Sequence, residues 1–391
     1  MKTTELYASY AADITDAPTS YAQWMGYFLI SCVLNKSVSM SFGVYRLYPN
    51  FYLLLIGPSS VFRKSYSQKI ALSILKEIYP DFRLFDVSSQ EAFVSEIARK
   101  DRVPYGCGAI AIDEFGGFMR KVKGSKHFSE YIEKLSSVFD HNTISRRVGI
   151  KEDEKETYIV EEPFLNLSAT CSIDWLTKSI ENSDVSGGFL SRFVWIYEDK
   201  KEGRNWSEPG TPDPVKHAQL LNRLNEIRDL QGEMKWTPDS KALWDHWYDD
   251  FRRRNQGGFW DANYERMTQQ VRKVAMINAA QELRLDIRHE DLKDAIGTIE
   301  PLLRQLNNVI IGDSSAEILR KRILAFIRKR EPAGVSRSDL LNGISGLDAW
   351  TLDQHEKTLL QAEKIQTIVE ETGGRKRTIY KLKNILDLIN V

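Results

Sequence analysis

The sequence predicts an α/β fold, in which a largely parallel sheet carries helices on both faces. Three short apolar runs, at residues 51–56, 107–112 and 164–170, have the continuous hydrophobicity of buried parallel strands. Segments in which apolar residues recur at helical spacing separate these runs, for example 65–78 and 128–139. This alternation of strands and helices is typical of a parallel sheet.

The composition is that of a globular protein and limits the classes of function. The 391 residues include 54 Lys and Arg and 54 Asp and Glu, so any contact with nucleic acid must come from local basic patches. The apolar stretch 24–34 is too short to span a bilayer, and residues 1–16 lack the features of a signal peptide. Three scattered cysteines indicate neither a disulfide framework nor a metal motif. We therefore expect a cytoplasmic protein without a membrane partner.

The first strand and helix flank a candidate phosphate-binding loop. The turn after the strand consists of Gly57, Pro58, Ser59 and Ser60. Lys64 and Ser65 then open the helix, where a lysine can reach phosphates and a serine hydroxyl can bind Mg²⁺. The usual glycine before the lysine is replaced by Arg63, and one extra residue separates Gly57 from Lys64. An ordinary turn with an exposed basic pair is the alternative.

A pair of carboxylates ends the next strong strand. Residues 82–89 form a weaker strand candidate, followed by a helix with a capping box, and then comes the apolar run 107–112. Asp113 and Glu114 follow it, before a glycine-rich turn. Asp113 is placed to hold Mg²⁺ and Glu114 to polarise an attacking water. The alternative is an acidic pair that simply ends a strand at the surface.

Later segments complete the predicted organisation. Residues 143–163 read as a projecting β-hairpin, and 187–199 as a strand preceded by a glycine hinge. A Gly- and Pro-rich linker comes next, then an all-helical region to residue 311. We thus expect three domains: a core (1–202), a helical lid (203–311) and a C-terminal module (312–391).

Several segments resemble, in the same order, those of the minichromosome maintenance helicases. They are "GAIAIDEFGGFM", "HNTISRRVGI", "FLNLSATCS" and "FLSRFVWIYED". "YPNFYLLLIGPSSVFRKS" resembles still more a helicase-like family of P-loop proteins from phages, plasmids and integrated elements. The resemblance covers about residues 20–200 and, more loosely, the helices to 310. It implies a P-loop NTPase core of the AAA+ type with a helical lid.

The resemblance also implies roles for individual residues. Arg192 would be an arginine finger that enters the site of a neighbouring subunit. Thr170 would be sensor 1, where the related helicases usually carry asparagine, and Asn166 is a poorer candidate because it lies in mid-strand. Arg266 would be sensor 2, in competition with Arg272. Arg63 would add a positive charge near the phosphates or toward the adjoining subunit.

Two basic segments are candidate DNA contacts. In the hairpin they are Arg146, Arg147, Lys151 and Lys155, and in the C-terminal module Arg375, Lys376 and Arg377. Acidic residues lie among the hairpin cations, so a solvated charged hairpin is the alternative. The C-terminal module has the order of a winged helix, with the second basic group at the tip of its wing. Many such modules dock proteins instead of DNA.

Together with the resemblance, these features predict an ATP-hydrolysing, ring-forming helicase or translocase, and the resemblance implies that it is the replicative helicase of a mobile element. ATP and Mg²⁺ would bind at residues 57–65 and Asp113, and single-stranded or forked DNA would be the substrate. The ring would be a homo-oligomer, expected to be a hexamer, with a primase or loader as a further partner. The alternatives are a nucleotide-gated DNA-binding regulator and a structural DNA-binding subunit without unwinding activity.

Overall fold

A computed structural model describes most of the chain. The described residues are 1–84, 90–124, 126–148, 156–173, 175, 188–201, 203, 206–254, 261–306, 315–344, 347–372 and 375–383. They form two compact units, Met1–Arg304 and Gln305–Val391. The predicted mixed α/β class with a parallel sheet is confirmed. The further division of the first unit at residue 203 stays a prediction.

The first unit contains ten described α-helices, the described 3-10 helix Leu190–Arg192 and eleven described strands. The helices are α1 (Thr3–Ile14), α2 (Thr19–Leu34), α3 (Lys64–Ile78), α4 (Gln90–Ile97), α5 (Phe115–Gly124), α6 (Lys126–Phe139), α7 (Pro214–Arg228), α8 (Pro238–Arg254), α9 (Asp261–Ala280) and α10 (His289–Leu306). The strands are β1 (Val38–Phe42), β2 (Tyr45–Leu47), β3 (Tyr52–Ile56), β4 (Cys107–Ile112), β5 (Ile144–Val148), β6 (Glu156–Val160), β7 (Phe164–Cys171), β8 (Phe193–Tyr197), β9 (Gly232–Glu233), β10 (Lys235–Trp236) and β11 (Asp286–Ile287).

The central sheet has the strand order β4-β7-β3-β8, and every pair in it is parallel. Strands β3 and β7 consist entirely of buried residues, as the apolar runs predicted. An isolated bridge between Arg83 and Ala109 lies beside β4, at the start of the predicted strand 82–89, while 85–89 fall outside the described residues. Because the strands are parallel, the segments that follow β4, β7 and β3 all lie at one edge of the sheet.

Helix α2 covers one part of this sheet and is apolar on almost every side. Its buried residues include Trp24, Met25, Phe28 and Leu29. The helix packs against α1, α3 and α7 and against strands β3, β7 and β8. A helix with apolar residues all round is expected in a core. Helix α2 therefore joins the sheet to the helices that follow residue 213.

Several elements differ from the sequence prediction. The glycine-rich segment after Glu114 is helix α5, because Phe115 and Met119 are buried and the glycines allow close packing. The hairpin β1–β2 was not predicted. The region expected to be all-helical contains the two-residue strands β9, β10 and β11. Strand β9 pairs with β1 in parallel, so this region is tied to the N-terminal part of the unit.

The second unit has the predicted order of helices and hairpin. It comprises α11 (Ser315–Arg328), β12 (Val335–Ser336), α12 (Arg337–Gly343), α13 (Ala349–Gln361), β13 (Ile365–Thr372) and β14 (Arg375–Leu382). Its sheet order is β12-β14-β13, and all pairs are antiparallel. Ile327, Leu340, Leu352 and Tyr380 belong to its own apolar core. Across the described ranges, none of the helices has the length and hydrophobicity needed to cross a membrane.

Candidate functional site

A cavity of about 250 Å³ lies at the edge of the sheet where β3, β4 and β7 end. Seven residues singled out from the sequence line it: Ser59, Ser60, Lys64, Ser65, Asp113, Glu114 and Thr170. They come from three adjacent strand ends and from the first turn of α3. Ligands of parallel α/β sheets bind at this edge. The predicted nucleotide site is thus one continuous space, bordered by a lysine, two carboxylates and several hydroxyl groups.

The base of the loop is held by close contacts that leave no room for a side chain at Gly57. A Cβ atom there would lie 2.6 Å from the hydroxyl oxygen of Tyr21, 2.9 Å from the carbonyl oxygen of Glu198 and 3.2 Å from Phe62. The Tyr21 hydroxyl donates a hydrogen bond of 2.6 Å to the carbonyl of Ile56. Tyr21 belongs to α2, and the sequence offered no signal for this role. Gly57 is required here for space.

Lys64 points back toward the loop. Its Nζ donates hydrogen bonds to the carbonyl oxygens of Gly57 at 2.8 Å and of Pro58 at 2.7 Å. Burial lowers the pKa of the Lys64 ammonium from its ordinary value. The cation is thus held at the cavity wall by two neutral acceptors. An anionic ligand can compete for it, because charge-assisted hydrogen bonds are stronger than bonds to neutral carbonyls.

Arg63 occupies the N-cap of α3 with φ 51° and ψ 30°, a left-handed conformation. Glycine adopts this conformation without strain, which gives a physical reason for the glycine usual at this position. The Arg63 side chain does not line the cavity. Its guanidinium donates 3.0 Å to the carbonyl of Trp206 and lies 3.4 Å from the Asp16 carboxylate. The predicted direct contact of Arg63 with phosphates has no support in this placement.

The Arg63 side chain is part of a brace around Asp16. The Asp16 carboxylate accepts hydrogen bonds from Lys201 and, at 2.8 Å, from the backbone N–H of Trp206. Lys201 also donates 3.1 Å to the carbonyl of Val61 in the loop. Burial alone would raise the pKa of Asp16, but these cationic and N–H partners lower it below its ordinary value. The brace fixes the outer side of the loop.

The first turn of α3 is open to an anion. Arg63 makes no capping hydrogen bond with its side chain, so no N-cap side chain satisfies the first N–H groups of the helix. Ser65, in that turn, lines the cavity. A helix N-terminus with free N–H groups favours phosphate. This turn and the two loop serines contribute polar groups to the same cavity that the carboxylates line.

Both carboxylates follow β4 and are exposed. The Glu114 side chain is 79% exposed and lies 3.3 Å from Arg120 of α5. Thr170 is buried at the level of Asp113 and donates a hydrogen bond from its hydroxyl to the Asp113 backbone carbonyl. That bond ties the end of β7 to the end of β4. Thr170 therefore borders the cavity and fixes the segment that carries both carboxylates.

Sequence reasoning missed four lining residues: Gly116, Cys171, Ser172 and Trp175. A Cβ atom on Gly116 would lie 2.7 Å from the indole of Trp175, so this glycine allows α5 to approach that ring. The glycine pair after Glu114 was the available signal, although it was read as a turn. Burial raises the pKa of Cys171 to about 12, which keeps its thiol neutral.

Arg192 and Arg266 lie away from this cavity. Arg192 precedes β8, and the register pairs Phe193 with Tyr52, the first residue of β3. Lys64 follows the other end of β3, so the two residues are separated by at least the length of this five-residue strand, about 16 Å. The guanidiniums of Arg192 and Arg266 both pair with the Asp140 carboxylate. Arg192 cannot serve the cavity of its own subunit from this position.

The alternative sensor candidates, Arg272 and Asn166, are both held by contacts within the fold. Arg272 stacks on Trp244, with its guanidinium carbon 4.2 Å from the ring centroid. Burial lowers the pKa of Arg272 to about 10. The Asn166 side chain accepts 2.6 Å from the backbone N–H of Phe51 and is completely buried. Neither residue lines the cavity.

The candidate DNA contacts are only partly described. Arg146 and Arg147 lie in β5, which pairs with β6 as the predicted hairpin, whereas Lys151 and Lys155 fall outside the described residues. Arg375, Lys376 and Arg377 open β14. Arg377 is exposed and lies 3.5 Å from Asp339. DNA contact at both places stays a prediction.

Within the described residues, no group of three or more His, Cys, Asp or Glu side chains is arranged to hold a metal ion. Comparison with known proteins adds no identification: no protein-family model matches this chain, and no curated protein matches it.

Proposed function

We propose that the protein binds Mg-ATP in the cavity at the ends of β3, β4 and β7 and hydrolyses it. One observation carries this proposal: the predicted loop, both predicted carboxylates and the predicted threonine line a single cavity. These groups are distant in sequence, and only the parallel sheet brings them together. The fold that supports this function is a P-loop NTPase core of the AAA+ type, with α7–α10 as its helical lid.

The residues that line the cavity have different roles in phosphoryl transfer. Lys64 leaves the carbonyls of Gly57 and Pro58 and binds the terminal phosphates, while the N-terminus of α3 and the loop serines hold the remaining oxygens. Glu114 accepts a proton from the attacking water, and Thr170 keeps that carboxylate in place through the Asp113 carbonyl.

The oxygen ligands in the cavity suit a magnesium ion. Ser65 and Asp113 border the same space and offer a hydroxyl and a carboxylate, which are the hard donors that Mg²⁺ prefers. The ion would supply neutralisation of charge on the phosphate oxygens.

The position of Arg192 supports a shared site and therefore a ring. Arg192 lies at the start of β8, at the edge of the sheet opposite the cavity. Its guanidinium can therefore contact a bound nucleotide only in the cavity of a second copy of the chain. Stabilisation of charge by an arginine from a neighbour is an efficient way to couple hydrolysis to assembly. A closed homo-oligomer, expected to be a hexamer, satisfies every site in this manner.

DNA is the proposed substrate of the ring. The hairpin β5–β6 carries arginines, and the second unit supports a winged helix in which β13 and β14 form the wing. The proposed activity is that of a helicase or translocase. The alternative is a nucleotide-gated regulator, favoured by the resting contacts of Lys64 and Arg192. Strand displacement on a forked duplex separates the two, because a regulator leaves the fork intact.

Nucleotide binding is tested with Lys64→Ala and a matched control. Mg-ATP at 100 times its dissociation constant should stabilise the wild type by about 2.7 kcal/mol, measured by denaturation. Lys64→Ala should lose most of this stabilisation, whereas Lys69→Ala, exposed on the same helix, should keep it. Equal stabilisation of both variants would contradict the assignment of Lys64.

The shared site is tested by mixing two inactive variants. Arg192→Ala keeps its own cavity and Lys64→Ala keeps its arginine, so mixed rings contain complete sites and regain ATPase activity. A mixture that never exceeds either parent would contradict the shared site.

A further inference from the structure

A second charged cavity, of about 400 Å³, lies at the opposite edge of the sheet from the nucleotide cavity. Asp140 and Arg266 line it, together with Arg46 of β2 and the buried Lys273. Its wall is formed by segments that precede β3, β5 and β7, which places it at the amino ends of the strands. The proposed function assigns no role to this cavity or to Asp140.

Asp140 holds two arginines from different parts of the chain. Its Oδ2 accepts 2.5 Å from Arg192, and its Oδ1 accepts 2.6 Å from Arg266 of α9. We call these three residues the Asp140 clasp. Asp140 directly follows the last residue of α6, where the helix dipole disfavours a carboxylate. The two arginines, and not helix capping, therefore account for the position of this carboxylate.

The clasp leaves the Arg192 fork incompletely paired. One terminal nitrogen donates to Asp140 and the other to the carbonyl of Gly188. The Nε–H of Arg192 is buried and has no hydrogen-bond acceptor among the described residues. A guanidinium presents its donors in a fixed fork that suits an anion with several oxygens. A tetrahedral phosphate offers more acceptor oxygens to the two arginines of the clasp than one carboxylate does.

The surface beside the clasp is accessible to a large partner. Tyr45, half-exposed, lines the cavity, and Val44 next to it at the tip of β1–β2 is fully exposed. The cavity beside this apolar tip is lined by the cations Arg46, Arg266 and Lys273 and by the carboxylates Asp140 and Glu162. An exposed apolar tip next to these cations fits a second copy of the chain that carries a phosphate.

We propose that Asp140 is a latch that occupies, in the lone subunit, the place of the terminal phosphate of a nucleotide bound by a second copy. This rests on the proposed function. On assembly the phosphate replaces the carboxylate on Arg192 and Arg266, and Asp140 is released. The exchange breaks two ion pairs inside the subunit and forms two across the interface, so the latch weakens assembly until a nucleotide is present. Asp140 is thus a positioning residue that opposes the assembled state.

The test compares full-length wild type, Asp140→Asn and Glu265→Gln. Glu265→Gln is the control: it also removes one negative charge next to Arg266 in the sequence, but the Glu265 carboxylate pairs with Arg252 at 2.8 Å. Assembly is followed by sedimentation velocity with Mg²⁺ and a non-hydrolysable ATP analogue, and ATPase activity is followed against protein concentration. Asp140→Asn should assemble at about fivefold to thirtyfold lower concentration, the range that the two partly exposed ion pairs of the clasp support, with an unchanged maximal rate per subunit. Glu265→Gln should match the wild type.

The outcomes separate the latch from the proposed function. Wild type that neither assembles with nucleotide nor hydrolyses it would refute the proposed function itself. If the wild type assembles with nucleotide but every folded Asp140 variant assembles at the same midpoint concentration as the wild type, only the latch is refuted. Asp140→Glu, which moves the carboxylate by one methylene, is the milder second variant and should lower the midpoint less. A lower maximal rate for Asp140→Asn, or failure of both Asp140 variants to fold, would also overturn the latch, because it would make Asp140 a required structural support.

Discussion

Gly57→Ala tests whether the base of the loop is as tightly packed as the structure indicates. The new Cβ atom would lie 2.6 Å from the Tyr21 hydroxyl and 2.9 Å from the Glu198 carbonyl, both closer than real contacts. Overpacking of this kind costs about 1–3 kcal/mol. Displacement of Tyr21 also removes its hydrogen bond to Ile56, for about 1 kcal/mol more. We therefore expect a loss of about 2–4 kcal/mol in the free energy of unfolding, as these two terms add.

Urea denaturation of the full-length protein measures this loss, with Gly297→Ala as the control. Among the described residues, no heavy atom outside the neighbouring backbone of α10 lies within 4 Å of a Cβ placed on Gly297, so alanine there should be neutral or stabilising by up to about 1 kcal/mol. A double-mutant cycle with Tyr21→Phe tests the mechanism, because removal of the hydroxyl relieves the closest contact. Tyr21→Phe should cost less in the Gly57→Ala background than in the wild type. A cost of Gly57→Ala below about 0.5 kcal/mol, or no coupling to Tyr21, would refute this reasoning.

Three further changes have defined outcomes. Arg63→Gly should bind ATP with wild-type affinity in calorimetric titration, because the Arg63 side chain contacts Asp16 and Trp206. A loss of affinity of about tenfold, or 1.4 kcal/mol, would instead indicate that Arg63 contacts the phosphates directly. Asp16→Asn should destabilise the protein most near neutral pH. The pKa of Asp16 is lowered in the folded protein, so its carboxylate stabilises the fold at pH values above its ordinary pKa of 3.8, and this stabilisation is lost as the pH falls below 3.8. Urea denaturation at neutral and acidic pH should show that difference shrink, and a pH-independent difference would contradict the brace. Gly116→Ala should cost about 1–3 kcal/mol by contact with Trp175 and alter tryptophan fluorescence, whereas wild-type stability would argue against that packing.

The cavity at the ends of β3, β4 and β7 was largely predictable from the sequence because its residues come directly after strand ends. Short apolar runs located β3, β4 and β7, and a parallel sheet brings the loops after these strands to one edge. That reasoning placed Lys64 and Asp113 together without any knowledge of side-chain contacts, whereas Thr170 was implied only by the resemblance to the helicases. The extent of α3 was also predictable, because apolar residues recur along it at regular helical spacing.

The contacts that are distant in sequence were not predictable. Arg192 and Asp140 are 52 residues apart, and Arg266 and Asp140 are 126 apart, so no local pattern joins them. The direction of the Arg63 side chain depends on Asp16, which lies in another segment. Helix α5 was missed because glycine favours turns by composition, while burial of Phe115 decides the outcome here.

The most direct test of the central claim is the rate of ATP hydrolysis with and without single-stranded DNA, for wild type and Glu114→Gln. Glu133→Gln, an exposed carboxylate on α6, is the matched control. The account predicts hydrolysis by wild type and Glu133→Gln that single-stranded DNA stimulates. It also predicts that Glu114→Gln binds ATP but loses both basal and stimulated hydrolysis. Hydrolysis that is absent in the wild type, or equal in Glu114→Gln, would contradict the assignment of this cavity as the site of ATP hydrolysis.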